Sequence, residues 1–385
     1  GPWARIYASS CYLLTQLARM GAILYLLALP MQVLFGWSIS LIILFTGLGV
    51  VVYATMGGIS AVVWTDAVQG IVLIAGAVGC FVLIVINMPE GITQIWDIAQ
   101  RDSKLSLGSL STDFGQSTFW VVLIYGLFIN LQNFGIDQSY IQRYKSAKTE
   151  QEAKKSTWLG SLLYIPVSLL FFVIGTSLYA YYQVFSDSLP LELQSIEQAD
   201  KVFPHFIATV LPPGISGLVI AAIFAAGMST VSTSINSSAT VILEDHFKKY
   251  IQPNPSQNTQ IKVLYAASLG MGILGILMGL AFNGVESALE AWWALASIFS
   301  GGILGLFFLA LLGKTKTNFP AISAVISGLA VIAWISLGEF LPDAIKPSFT
   351  LHKNLAIVFG TMAIFMVGFI FSWIFSSRKI GKRLV

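Results

Sequence analysis

The chain has 385 residues, of which 56% are hydrophobic and 10% charged, with a mean hydropathy of +0.79. That balance excludes soluble globular and disordered classes and places the sequence among polytopic membrane proteins. The formal net charge of +3 needs no nucleic acid to explain it, and the two cysteines, Cys11 and Cys80, lie in apolar stretches where they read as small packing residues.

Crossing a hydrocarbon core of about 30 Å takes roughly 20 apolar residues in a helix. Ten such stretches are predicted, at about 8–33, 38–56, 60–87, 118–137, 157–182, 214–243, 262–283, 288–312, 318–338 and 355–376. They predict an all-α polytopic membrane protein with one integral domain over residues 1–385. The chain opens at Gly1-Pro2-Trp3 without a methionine or targeting segment and reads as part of something longer. If the spans alternate, every Lys and Arg falls on one side except Arg19 and the five residues Arg101, Lys104, Lys201, Lys346 and Lys353. By the positive-inside rule that side is the cytoplasm, which then holds both termini at the plasma (inner) membrane.

Arg19 lies near the middle of the first span, in Gln16-Leu17-Ala18-Arg19-Met20-Gly21. An intramembrane charge is costly unless paired or hydrated, so Arg19 is a candidate functional residue, with a structural ion pair as the plain alternative. The second span ends at Thr55-Met56-Gly57-Gly58, where the glycines are expected to break the helix and turn the chain. Asp66 follows, the only acidic residue well inside a predicted span. At 1.5 Å per residue it lies about 9 Å into its span and Arg19 about 17 Å into its own. Direct pairing is therefore disfavoured, and Asp66 needs another cationic partner.

Residues 88–117 read as a polar external loop. The fourth span sets Trp120, Tyr125, Phe128 and Phe134 among Asn130, Gln132 and Asn133, an apolar lining with a few polar groups of the kind that surrounds small molecules. Ordinary aromatic packing explains the rings but not the three amides. Residues 137–156 read as a cytoplasmic, amphipathic, mixed-charge and helix-like connector with a solvated face, and residues 183–213 as an acidic external connector.

The sixth span carries the densest signal, since eight of the twelve residues from Ser229 to Thr240 bear hydroxyls. On a helix, Ala226, Ser229, Thr230, Thr233 and Ser237 share one stripe, with Ser232 and Asn236 beside it. Such a stripe can hold a small hard cation, and small hydroxylated residues equally let membrane helices pack closely. In the eighth span, Ser300-Gly301-Gly302-Ile303-Leu304-Gly305 permits close helix contact, whereas spans nine and ten show no internal polar constellation. The sequence holds no phosphate-binding loop, dinucleotide fingerprint, catalytic triad or paired-cysteine motif, which argues against an enzyme.

Four blocks together, GGISAVVWTDAVQG at 57–70, QNFGIDQSYIQRY at 132–144, GLVIAAIFAAGMSTVSTSINSSATV at 217–241 and FSGGILGLF at 299–307, resemble the sodium/solute symporter family. The resemblance is strongest to its bacterial sialic acid (N-acetylneuraminate) branch, through Arg19 and the run ARMGAILYL. It implies a leucine-transporter-type inverted-repeat fold. On that plan residues 8–312 correspond to core helices three to ten and 318–376 to two extra helices, the first core helices being absent. It implies one or two coupling sodium ions, a monomer in the bilayer, and secondary-active import of a small organic acid, with sialic acid leading. Carried over, Ala226, Ser229 and Thr230 match the main sodium site, and Asp66, Ser229, Ser232 and Thr233 a second one. Arg19 matches the residue that binds the substrate carboxylate, and Phe128 lines the same pocket. Proline, pantothenate and sugar symporters share the fold and are the alternatives within the family. A transporter-like membrane sensor and a channel-like conductor are the alternatives outside it.

Overall fold

Among the described residues, ten helical segments are long and apolar enough to cross a membrane, and they coincide with the ten predicted spans. The computed structural model describes residues 2–285, 287–313, 318–337 and 350–380, with 57–61, 196–197 and 375–380 as backbone only. In chain order the helices are α1 (Pro2–Phe35), α2 (Ile39–Asn87), α3 (Gly91–Arg101), α4 (Phe119–Ile136), α5 (Gln138–Ser146) and α6 (Glu150–Val184). They continue with α7 (Val202–Thr209), α8 (Ile215–Val241), α9 (Gln257–Ala281), α10 (Ala288–Leu312), α11 (Phe319–Leu337) and α12 (Ala356–Ile380). The spans are helices because a bilayer offers no partner for an unpaired backbone amide, so each segment must bond internally.

The chain turns back at Gly57-Gly58 as expected, but without a loop, the helical conformation of α2 running up to and on from residues 57–61. Before that segment, Gly47 and Val51 meet Ile276 and Gly272 of α9; after it, Asp66 and Gly76 meet Ser229 and Ala222 of α8. Both series run against their partner helix, and α8 and α9 are themselves antiparallel, so the two halves of α2 run in opposite senses. A continuous hydrogen-bond ladder cannot survive such a reversal, so the helix is interrupted at the glycine pair, with no loop between its two halves. In the last spans, Thr361 of α12 donates to Gly301 O at 3.2 Å. Ser297 of α10 donates to Asn354 O at 3.0 Å and accepts from Ile357 N at 2.9 Å. Each hydroxyl serves a neighbouring backbone singly, which is why no cluster is visible in the sequence.

One apolar core joins α1, α2, α8 and α9 through Met20, Leu24, Ile43, Val51, Val231, Ile235 and Met271. α9 turns Gly272, Gly275 and Gly279 to this core, where they meet Val51, Met20, Leu24 and Ile43. In lipid there is little hydrophobic drive between helices, so this close approach of small residues supplies the packing. The glycines of α10 do the same against α12: a methyl on Gly301 would fall 3.0 Å from Ala356 O, and one on Gly305 2.8 Å from Thr361 O. α6 is the opposite case, with Trp158, Leu162 and Phe172 exposed along a face that lipid covers.

Gly272 and Gly270 lie on the same helix, but Gly270 faces open space. Gly272→Val should lower the stability of the purified protein by about 1–3 kcal/mol through overpacking, while Gly270→Val stays within about 0.5 kcal/mol. Thermal melting in detergent measures both.

Candidate functional site

Four of the hydroxyls of α8 donate to their own helix. Thr230 Oγ1 donates to Ala226 O (3.1 Å), Ser232 Oγ to Ser229 O (3.0 Å), Ser237 Oγ to Ser234 O (3.2 Å) and Thr240 Oγ1 to Asn236 O (3.0 Å). A hydroxyl whose hydrogen is spent in this way presents only lone pairs outward, which suits it to accept from donors or to ligate a cation. Ser232 and Ser237 are fully buried, whereas Ala226, Ser229 and Thr230 are half-buried.

Three of the predicted residues meet around one guanidinium. Ser229 Oγ donates to Asp66 Oδ1, while Arg143 Nη2 donates to Asp66 Oδ2 at 2.6 Å and to Thr233 Oγ1 at 3.0 Å. Ser232 is not in this group, since its hydroxyl turns to the Ser229 carbonyl. The cationic partner that Asp66 needs is thus Arg143, from the stretch expected to be a solvated connector. The helix expected there is α5, residues 138–146, but it is not simply a solvated face: it packs on α8 and adds a bond from Gln142 Nε2 to Thr240 Oγ1 at 2.6 Å. Asp137 caps α5, its Oδ1 accepting from Ser139 N at 2.8 Å. The Asp66 and Arg143 side chains are 17% and 37% exposed, so the pair is shielded on the carboxylate side and open on the other.

Arg19 is half-buried, with its guanidinium carbon 5.2 Å from the centroid of Trp292. It makes no ion pair among the described residues, so a carboxylate from this chain does not neutralise it there. Phe128 sits in a different cluster, with Val121, Tyr125, Ile357, Val358 and Trp293. Arg19 thus meets Trp292 while its neighbour Trp293 packs in the Phe128 cluster, whose Tyr125 lies within electrostatic reach of Arg19; direct contact of Arg19 with Phe128 is not seen among the described residues. The amides of α4 also separate. Asn130 is exposed and donates to Gly126 O of its own helix at 2.8 Å, while Gln132 is 3% exposed with its Oε1 unpartnered. Tyr140 of α5 lies within electrostatic reach of Arg19, and burial pushes its phenol above the usual range, keeping it a neutral hydrogen-bonding group.

The residue of this candidate site missed in the sequence is Arg143. The signal for it was the unpaired Asp66 together with an arginine on the same expected side of the membrane. The general signal of basic residues near the cytoplasmic boundary hid it.

A profile described as the sodium:solute symporter family matches residues 3–328. The sodium/sialic acid symporter NanT of Aliivibrio fischeri is 27% identical over 377 residues, covering 97% of this chain and 72% of that protein. The sodium/sialic acid symporter SiaT of Proteus mirabilis is 29% identical over 379 residues, covering 98% and 74%. A solved structure of a Na+-coupled sialic acid symporter, in a substrate-bound outward-open state that revealed a new Na+ site, superposes with a TM-score of 0.82 at 27% identity, covering 97% of this chain and 75% of that one. The all-helical leucine-transporter-type arrangement implied by the sequence blocks is the fold of this chain.

The Asp66 and Arg143 side chains share one hydrogen-bonded group, so their removal should not be additive. Asp66→Asn, Arg143→Gln and the double variant, melted in detergent, should show a coupling of about 0.5–3 kcal/mol. Additive effects would mean the pair is not formed in the membrane protein.

Proposed function

The chain belongs to the sodium:solute symporter family, and from that membership and its site geometry we propose that it imports a small organic acid, sialic acid, together with sodium. The observation that carries the substrate class is Arg19, a half-buried guanidinium in mid-span, covered by Trp292 and without a carboxylate partner among the described residues. A guanidinium offers a carboxylate a planar, bidentate fork, which an ammonium does not. Phe128 contributes through the tryptophan pair, as part of the apolar wall around the ligand.

In this reading sodium binds at the α8 stripe, with the Ala226 carbonyl and the Ser229 and Thr230 hydroxyls as ligands. Asp66, Ser229, Ser232 and Thr233 hold a second ion, and these hard oxygen donors are what a hard cation prefers. The position of Arg143 supports a simple exchange: the guanidinium neutralises Asp66 when the ion has left and withdraws when it binds. Coupling follows because sodium then has different affinities for the two arrangements, the condition for any ligand to shift an equilibrium. Residues 1–385 act as one domain and one monomer in the plasma membrane, and the basic residues between spans put both termini in the cytoplasm.

Uptake of radiolabelled sialic acid into proteoliposomes tests this directly. Accumulation is expected with an inward sodium gradient and not with potassium. Sodium-driven uptake of proline or a sugar in its place would retain the family and discard the substrate. Arg19→Ala should raise the apparent substrate constant by the equivalent of about 2–5 kcal/mol, the loss typical of one partner of a buried charge pair. An unchanged constant in a folded variant would return Arg19 to a structural role.

A further inference from the structure

A guanidinium carries five N–H donors in one planar group, and at Arg19 no hydrogen bond or ion pair among the described residues engages any of them. What Arg19 does meet is the indole of Trp292, whose centroid lies 5.2 Å from the guanidinium carbon, inside the reach of about 6 Å for a cation over a ring. A carboxylate stands in the same surroundings, since the phenols of Tyr12 and Tyr140 each lie within electrostatic reach of both Asp137 and Arg19. Asp137 is engaged elsewhere: it accepts from Ser139 N at 2.8 Å as the cap of α5, and from Gln16 Nε2 at 3.4 Å. Gln16 lies one turn before Arg19 on α1. That helix therefore sends an amide to Asp137 and its guanidinium to α10.

The packing of α1 on α10 fixes this contact. Tyr7 of α1 lies against Gly302, where its hydroxyl leaves no room for a Cβ, and Arg19 lies against Trp292. The two helices thus run antiparallel and are pinned at two heights. Trp292 itself packs against the apolar core that joins α1, α2, α8 and α9, while its neighbour Trp293 lies 6.3 Å from Tyr125, measured between ring centroids. The indole is a fixed platform, and the long, flexible arginine is the part that it places.

We propose that Trp292 is the positioning residue for Arg19, holding its charge in mid-span while its N–H groups stay open to the carboxylate of the substrate. The proposal deepens the organic-acid reading of Arg19 and rests on it. A charge at this depth is costly unless something compensates it. A carboxylate of the chain would do so by occupying the N–H fork, and the substrate would then have to displace it. The π face of a ring attracts the cation and supplies no carboxylate oxygen, so the fork is compensated and still unfilled. Without the ring the arginine regains its rotamers, with Asp137 as a competing acceptor nearby, and substrate binding must reverse that reorganisation.

The test is sodium-driven uptake of radiolabelled sialic acid by the purified protein in proteoliposomes, read as KM and maximal rate separately. Trp292→Leu and Trp292→Met keep an apolar side chain and remove the ring, so either carries the test if the other does not fold. Both are expected to raise KM about three- to thirtyfold, the range of a cation–π contact, with little change in maximal rate. Trp292→Phe keeps a smaller ring and is expected to fall between these variants and the unmodified protein. A lower maximal rate with KM unchanged, or a Phe variant no better than Leu and Met, would show that Trp292 only packs and would overturn the positioning role while leaving the organic-acid reading standing. An unchanged KM in Arg19→Ala, or no uptake of the acid by the unmodified protein, would overturn both.

Discussion

The contact on which the rest of the arrangement depends is the carboxylate of Asp66 held between Ser229 of α8 and Arg143 of α5. It ties the second half of α2, the connector after α4 and the hydroxyl-rich helix into one unit. An acidic side chain in the membrane is costly unless paired or hydrated, and here the neutralising cation comes from a short helix at the membrane edge. Because Arg143 also binds Thr233, the pair fixes the rotation of α8 as well as its position. A carboxylate and hydroxyls grouped in this way can receive either a guanidinium or an alkali ion, which makes the contact both structural and exchangeable.

Around that unit, packing is achieved by absence of side chain as much as by its presence. α9 brings Gly272, Gly275 and Gly279 against α1 and α2, and α10 brings Gly301 and Gly305 against α12. The close approach leaves most of the hydroxyls between Ser229 and Ser238 of α8 buried against neighbouring helices. Long apolar side chains are instead spent on the outside, where α6 meets the hydrocarbon.

The candidate substrate residue and the candidate ion residues occupy separate parts of this frame. Arg19 stands against Trp292 of α10, while Asp66 and Arg143 stand against α8. Both regions are joined by α1, which carries Arg19 and, one turn earlier, the Gln16 that reaches Asp137. A tilt of α1 relative to α8 would therefore act on the substrate end and the ion end together, the mechanical requirement for one ligand to bias the binding of the other.

Much of this was legible in advance. The ten spans, Arg19 and Asp66 follow from local facts: the hydropathy of a segment, and a charge where the bilayer penalises one. The need of Asp66 for a cation was also legible, though not its source. The roles of Asn130 and Gln132 were not, because the sequence cannot say that one amide bonds back to its own helix while the other is buried. The turn at Gly57-Gly58 was legible, though not that it needs no loop between the two helical halves.

The all-helical membrane architecture is already written in the chain, because apolar runs of about 20 residues fit a spanning helix, which satisfies its backbone within itself, and not the short alternating strands of a barrel. Tertiary structure alone decided that Arg143 is the cation on Asp66, 77 residues away, and that Gln16 faces Asp137, 121 residues away. Those pairings depend on how each helix is rotated and tilted against its neighbours, which is set by the packing of all of them at once and is written in no single segment.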